Sequence, residues 1–159
     1  MTGKAHVYRR DHINTDEIIP ARYLVTDDKR ELALHAMEDL DSEFVQKVET
    51  GDIIVAGRDF GCGSSPEHAI WALLGIGVSL IIAESFARIF YRNALNNGFP
   101  VIECKSITGK IDSGDILDIN LREGILKNVS KGQEIRFHPL PEFAQKMIDA
   151  GGLIESLKE

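Results

Sequence analysis

The chain has 159 residues, 43% hydrophobic and 27% charged, with a formal net charge of −7. That length and balance predict a soluble globular domain spanning 1–159 with a real core, and the acidic surplus argues against nucleic acid or an anionic membrane surface as a partner. No apolar run approaches the ~20 residues of a membrane span, and no hydrophobic signal core opens the chain, so a cytoplasmic location is expected.

In chain order, Ala5 to Tyr8 begins as a strand, and 11–28 is a polar loop carrying Ile18-Ile19-Pro20. Glu31 to Met37 has helix formers at apolar spacing, and Phe44, Val45 and Val48 make a second short amphipathic piece. Asp52 to Ala56 and Val78 to Ala83 are strand-length apolar runs, which predicts buried strands. Between them, Ala69 to Leu74 predicts a helix ending at Gly75 or Gly77. Ser85 to Leu95 predicts a helix capped by Ser85 and stopped near Asn97-Gly98, and Val101-Ile102 follows as a short strand. Strands alternating with helices give a parallel βαβ core of an α/β fold. The tail alternates apolar and polar residues over 114–121, 124–126 and 134–137, the pattern of a half-buried antiparallel β-rich meander. Glu142 to Ile148 predicts a last helix before Gly151-Gly152.

The loop Gly57-Arg58-Asp59-Phe60-Gly61-Cys62-Gly63-Ser64-Ser65-Pro66-Glu67-His68 crosses from a strand end to a helix start. Two readings stand side by side. Ser64-x-x-Glu67 fits a capping box, with Pro66 tolerated in the first turn. Alternatively, Gly61 and Gly63 allow close backbone approach to a ligand, and a negative group there gains from the unpaired first amides of a helix. His68, one turn from Ser64, could orient that serine or simply pack. No G-x-S-x-G elbow is present, which lowers the case for a hydrolase.

The two cysteines, Cys62 and Cys104, form no C-x-x-C. They cannot by themselves ligate an ordinary iron–sulfur cluster. The five histidines make no H-x-x-x-H pair, so no metal site is expected on this chain. Cys62 is either a small buried side chain or a thiol whose pKa is lowered by the loop. Arg88 and Arg92 share one helix face, and Phe86, Ile89 and Phe90 are assigned to the core side.

Three separated stretches carry a resemblance: Asn14-Thr15-Asp16-Glu17-Ile18-Ile19-Pro20-Ala21-Arg22-Tyr23-Leu24, Gly61-Cys62-Gly63-Ser64-Ser65-Pro66-Glu67-His68-Ala69, and Glu84-Ser85-Phe86-Ala87-Arg88-Ile89-Phe90-Tyr91-Arg92-Asn93-Ala94. In order and spacing they resemble the small subunits of the aconitase superfamily, in its isopropylmalate dehydratase and homoaconitase branch. The resemblance implies a swivelling β/β/α domain. It implies a separate large subunit, in a heterodimer or heterotetramer, that holds a [4Fe–4S] cluster, with no cofactor bound by this chain. The implied reaction is reversible dehydration of a small 2-hydroxy dicarboxylic acid, in which a base takes a proton from carbon and the cluster's open iron acts on the departing hydroxyl. It gives the base role to Ser64 and an active-site role to Asp16; Gly63, Ser65, Tyr23, Leu24 and Val25 are expected to face substrate, with Arg58 as a candidate cation beside them.

Two departures bear on substrate. The family usually has an arginine after the serine pair to grip a substrate carboxylate, and this chain has Pro66, so Arg58, Arg22, Arg88 or a partner's arginine must take over. Val25 stands where relatives using substrates with an extra carboxylate resemble Tyr-Leu-Arg-Thr. An apolar residue there favours an alkyl group over an unpaired carboxylate, unless Val25 packs inside its own loop.

Overall fold

A computed structural model describes residues 1–64 and 67–158. The described strands form one seven-stranded mixed sheet. β1 (Thr2–Tyr8), β2 (Ile53–Ala56), β3 (Leu80–Ala83) and β4 (Val101–Glu103) run parallel, while β5 (Ile116–Asn120), β6 (Ile125–Asn128) and β7 (Gln133–Arg136) form the antiparallel meander. The order across the sheet is β4-β3-β2-β1-β5-β6-β7. β1 therefore serves both halves: Ala5–Tyr8 pair in parallel with β2, and Thr2–Lys4 pair antiparallel with β5.

The burial of each strand follows its sequence. β2 and β3 are apolar at every position and buried on both faces, as expected for parallel strands covered on two sides. β5 alternates exposed and buried residues, with Leu117 and Ile119 turned inward. Two cores result. On one face, Ile54, Ala56, Ile81 and Ala83 pack with Phe44, Phe60, Leu73, Phe90 and Phe99 from the helices and loops. On the other, Ile53, Val55, Leu80 and Ile82 share a core with Leu117, Ile119, Leu126 and Ile135, so the meander curls back over the parallel half.

The helices are short. α1 (Thr15–Ile18), α2 (Lys29–Ala33) and α3 (Phe44–Lys47) lie in the long first crossover, and α4 (His68–Ile76) and α5 (Arg88–Asn96) follow β2 and β3. α6 (Glu142–Ala150) and α7 (Leu153–Leu157) close the described chain, and α7 had no predicted counterpart. α4 ends at Gly77 in the left-handed conformation, φ +95°, as its C-terminal glycine predicts.

Two predicted helix starts are corrected. α4 begins at His68 with Glu67 before it and no side-chain cap, so the Ser64–Glu67 capping box does not form. α5 begins at Arg88 rather than Ser85, because the Ser85 hydroxyl accepts from the Asp59 amide at 2.8 Å instead of capping a helix. Ile89 is also not a core residue: it is 54% exposed, while Phe86 and Phe90 are buried.

Candidate active site

The loops after β1, β2 and β3 gather at the carboxyl ends of the parallel strands, the usual site-bearing end of such a sheet. They are stitched by backbone bonds. The His12 amide donates to Arg58 O at 2.8 Å, Gly61 to Ile13 O at 2.8 Å, and Thr15 to Cys62 O at 3.0 Å. Phe60 and Phe86 form a further bridge, with Phe60 N to Ser85 O at 3.1 Å and Ala87 N to Phe60 O at 3.0 Å.

The capping box of this chain sits at α1. The Asn14 side chain accepts from the Glu17 amide at 3.0 Å, and the Glu17 carboxylate accepts from the Asn14 amide at 3.2 Å. Glu17 is also paired with Arg10, and that hydrogen bond holds its carboxyl below the usual range. This rigid turn aims Thr15 at the glycine loop. Thr15 is 1% exposed. Its hydroxyl donates to Ser64 O and lies 3.4 Å from Ser64 Oγ. Because the threonine proton is committed to the carbonyl, Ser64 Oγ is the donor in the second contact.

Ser64 is exposed and is not a helix cap. α4 starts four residues later, so its first amides do not belong to Ser64. His68 does not reach it either: His68 Nε2 pairs with Asp27 Oδ1 at 3.0 Å, and its buried Nδ1 has no hydrogen-bond partner among the described residues. Asp16 is exposed beside Thr15, and its carboxylate makes no hydrogen bond to Ser64 among the described contacts. Gly63 adopts φ +91° with its α-carbon facing Asn14 and Thr15. Ser65 and Pro66 lie outside the described residues.

The loop carrying Val25 is anchored at both ends. Tyr23 stacks on His35 with centroids 3.6 Å apart, and its hydroxyl donates to Glu38 at 2.7 Å. Leu24 packs against the helix-side core. On the far side, Asp27 is tied to His68 at the head of α4. Between these anchors Val25 is 93% exposed, so it does not pack inside its own loop. Tyr23 acts here as an anchor with its hydroxyl already engaged.

The arginines separate clearly. Arg22 is held by Glu38 and Asp39 at 2.8 and 2.9 Å and lies over the Tyr23 ring, so it is not a spare carboxylate grip. Arg58 is exposed, and its guanidinium makes no ion pair with a described residue. Arg88 and Arg92 line a separate groove of about 330 Å³ with Phe86, Tyr91 and Phe143. The Cys62 thiol is pushed up, by burial first and then by Asp59, which is the reverse of an activated nucleophile.

Sequence reasoning missed Thr15. The signal was its place in Asn14-Thr15-Asp16, where the charged neighbour drew attention. We expect Thr15→Val to lower kcat roughly tenfold with little change in KM, while Thr15→Ser restores most of the rate, because one positioning hydrogen bond contributes about 1 kcal/mol or somewhat more. Steady-state kinetics of the complex that the resemblance implies checks this.

Residues 3–106 match the family model described as the aconitase C-terminal domain. The chain belongs to the aconitase C-terminal domain family. Among its relatives, the 3-isopropylmalate dehydratase small subunit of Caldicellulosiruptor bescii is 58% identical over 98% of this chain and 93% of that protein. Small subunit 2 of the same enzyme from Deinococcus radiodurans is 56% identical, covering 96% and 74% of the two chains. The crystal structure of 3-isopropylmalate dehydratase from Methanocaldococcus jannaschii superposes with a TM-score of 0.93 at 43% identity, over 99% of this chain and 92% of that one. Aconitase X from Thermococcus kodakaraensis, at 17% identity and a TM-score of 0.51 over 87% and 89%, shares the fold alone.

This aconitase-type domain presents Ser64 on open surface. The cavities around Met1 and Asp118, around Arg88, and around Glu84 and Cys104 all lie elsewhere. No described helix is long and apolar enough to cross a membrane.

Proposed function

We propose that this chain is the small subunit of a 3-isopropylmalate dehydratase, a hydro-lyase that interconverts 2- and 3-isopropylmalate by dehydration and rehydration in leucine biosynthesis. The observation that carries this is the 58% identity to such a subunit over nearly the whole length of both chains. In this reading Ser64 takes the proton from the substrate carbon. Thr15 fixes its position, and the exposed Asp16, next to Thr15 in the chain, is assigned to the same site. Gly63 and Ser65 are assigned to substrate contact, and Arg58, whose guanidinium makes no ion pair with a described residue, is a cation available for a substrate carboxylate.

A serine acts as a base only where its alkoxide is stabilised by donors aimed at it. The described residues supply no such set, since the Thr15 proton is committed elsewhere and α4 begins too late. Together with the open surface at Ser64, this supports a site completed by a large subunit, in a heterodimer or heterotetramer. The donor set here does not fit a [4Fe–4S] cluster: Cys62 and Cys104 are the chain's two cysteines, and Cys104 is buried in the meander-side core. The cluster belongs to the large subunit in this reading.

Mixing the chain anaerobically with a cluster-loaded large subunit tests the proposal. Isopropylmalate turnover should need both chains. Pro66, standing where the family's arginine is expected, motivates a substrate panel that includes 2,3-dimethylmalate and homoaconitate. Turnover of one of these in place of isopropylmalate would reassign the substrate. No turnover of any would favour a binding module that keeps the fold.

Val25 supplies the substrate-choice test. Its near-complete exposure at the apex between two anchors suits a residue that meets the substrate's alkyl group once the large subunit closes. Burying an isopropyl-sized group is worth roughly 1.5–3 kcal/mol, so Val25→Arg should raise KM for isopropylmalate by about 10-fold or more. An unchanged KM would show that Val25 does not touch substrate.

A further inference from the structure

One cluster of ligand-type side chains is not used by the dehydratase reading. A ring nitrogen of His12, a carboxylate oxygen of Asp59 and Sγ of Cys62 all lie within 4.8 Å of one another. We infer that His12, Asp59 and Cys62 form a binding site for a zinc-class divalent transition-metal ion, clamping the segment before α1 to the glycine loop.

Three observations support it. The first is the donor set. One imidazole nitrogen, one carboxylate oxygen and one sulfur suit zinc and its borderline neighbours rather than calcium or magnesium. In a tetrahedral site with bonds of about 2.0–2.3 Å, neighbouring ligand atoms stand roughly 3.3–3.8 Å apart. His12 Nδ1 and Asp59 Oδ2 are now 2.8 Å apart in a hydrogen bond. A small outward turn of that pair opens it to this spacing, and Cys62 Sγ already lies within 4.8 Å of both donors.

The second is the scaffold. The ladder that joins His12 to Arg58, Ile13 to Gly61 and Thr15 to Cys62 at 2.8–3.0 Å brings the three residues together through the backbone. The ligands therefore do not depend on long flexible side chains finding one another. Preorganised backbone of this kind is what a metal site needs.

The third is conformation. His12 and Asp59 have φ of +57° and +55°, left-handed backbone at two residues that are not glycine. Each is held there by its amide, His12 N to Arg58 O and Asp59 N to Ser85 Oγ, both at 2.8 Å. The His12 side chain is largely exposed and Asp59 partly so. Solvent or an exogenous ligand can thus occupy the fourth position, as in an open site.

Such an ion adds a cross-link between the two segments that carry Thr15 and Ser64. It needs no large subunit and so stands apart from the dehydratase reading. The test uses the untagged full chain, stripped of metal and kept reduced by a phosphine, titrated with Co²⁺ without oxygen. A thiolate-to-cobalt charge-transfer band should appear, saturate at one Co²⁺ per chain, and be displaced by Zn²⁺. Cys62→Ser should abolish the band and Cys104→Ser leave it. His12→Asn and Asp59→Asn keep residues that tolerate left-handed backbone, and each should weaken binding by roughly tenfold or more. Absence of the band in the unsubstituted chain overturns the inference without any variant. So does a band that follows Cys104, or affinity unchanged by either asparagine substitution.

Discussion

Ser64→Ala should lower kcat of the assembled enzyme by roughly 10²- to 10⁴-fold, the range expected when a general base is removed, with KM nearly unchanged. At 1.36 kcal/mol per decade this is about 3–5 kcal/mol of transition-state stabilisation. The Tm of the chain should stay put. Ser64 is exposed and caps no helix, and surface changes away from such roles usually fall within about 0.5 kcal/mol. A cap would give the opposite pattern, since removing a capping serine costs about 1 kcal/mol of stability. Paired measurements of Tm and kcat therefore separate the two roles the motif permits. Turnover that survives the substitution removes Ser64 as the base, and a lowered Tm with full activity restores the capping role.

Gly61→Ala should be among the most damaging single-methyl additions to this chain. Gly61 has φ +85°, and a Cβ placed there would lie 2.2 Å from Cγ of Phe90. Phe90 is buried in the helix-side core and packs edge-on against Phe60, with centroids 5.3 Å apart. Neither the ring nor the loop can withdraw freely, because the Gly61 amide is bonded to Ile13 O. Strain at the backbone and overpacking in the core each cost about 1–3 kcal/mol. A total of roughly 2–6 kcal/mol is a large share of a typical domain's stability. Urea denaturation should show a much lower midpoint. Gly63→Ala is the control: its added Cβ would meet Asn14 and Thr15 at 3.6–3.8 Å, ordinary contact distance, and only the φ strain remains.

The sheet was legible because its periods are simple. β2 and β3 read as apolar runs, and β5 as strict alternation, and each lies where its pattern placed it. The glycine loop was marked as a candidate site through resemblance, while its local geometry was not legible. Ser64-x-x-Glu67 and Asn14-x-x-Glu17 are equivalent capping patterns, and only the second forms a box. The choice depends on contacts with distant residues, such as Thr15 with Ser64, which a local pattern does not contain. Ser85 shows the same limit, since its hydroxyl serves Asp59, 26 residues earlier, instead of the helix that follows. Val25 and Arg58, candidates for substrate contact, are exposed, whereas Arg22 is consumed by Glu38 and Asp39. The trio of His12, Asp59 and Cys62 is invisible to any spacing rule because its members come from two segments.

The position of β1 in the sheet sets the schedule on which a newly made chain can become native. Its first half pairs with residues 116–118 and its second half with 53–56. β1 therefore keeps one edge open until residues 116–118 have followed it out of the ribosome. Such long-range closure folds slowly, and an unpaired strand edge can pair with another chain meanwhile. An extension fused ahead of Met1 would meet that late step directly, because the Met1 ammonium donates to Ile119 O and its carbonyl accepts from the Ile119 amide. A tag fused directly ahead of Met1 should therefore disturb the β1–β5 pairing that closes the sheet.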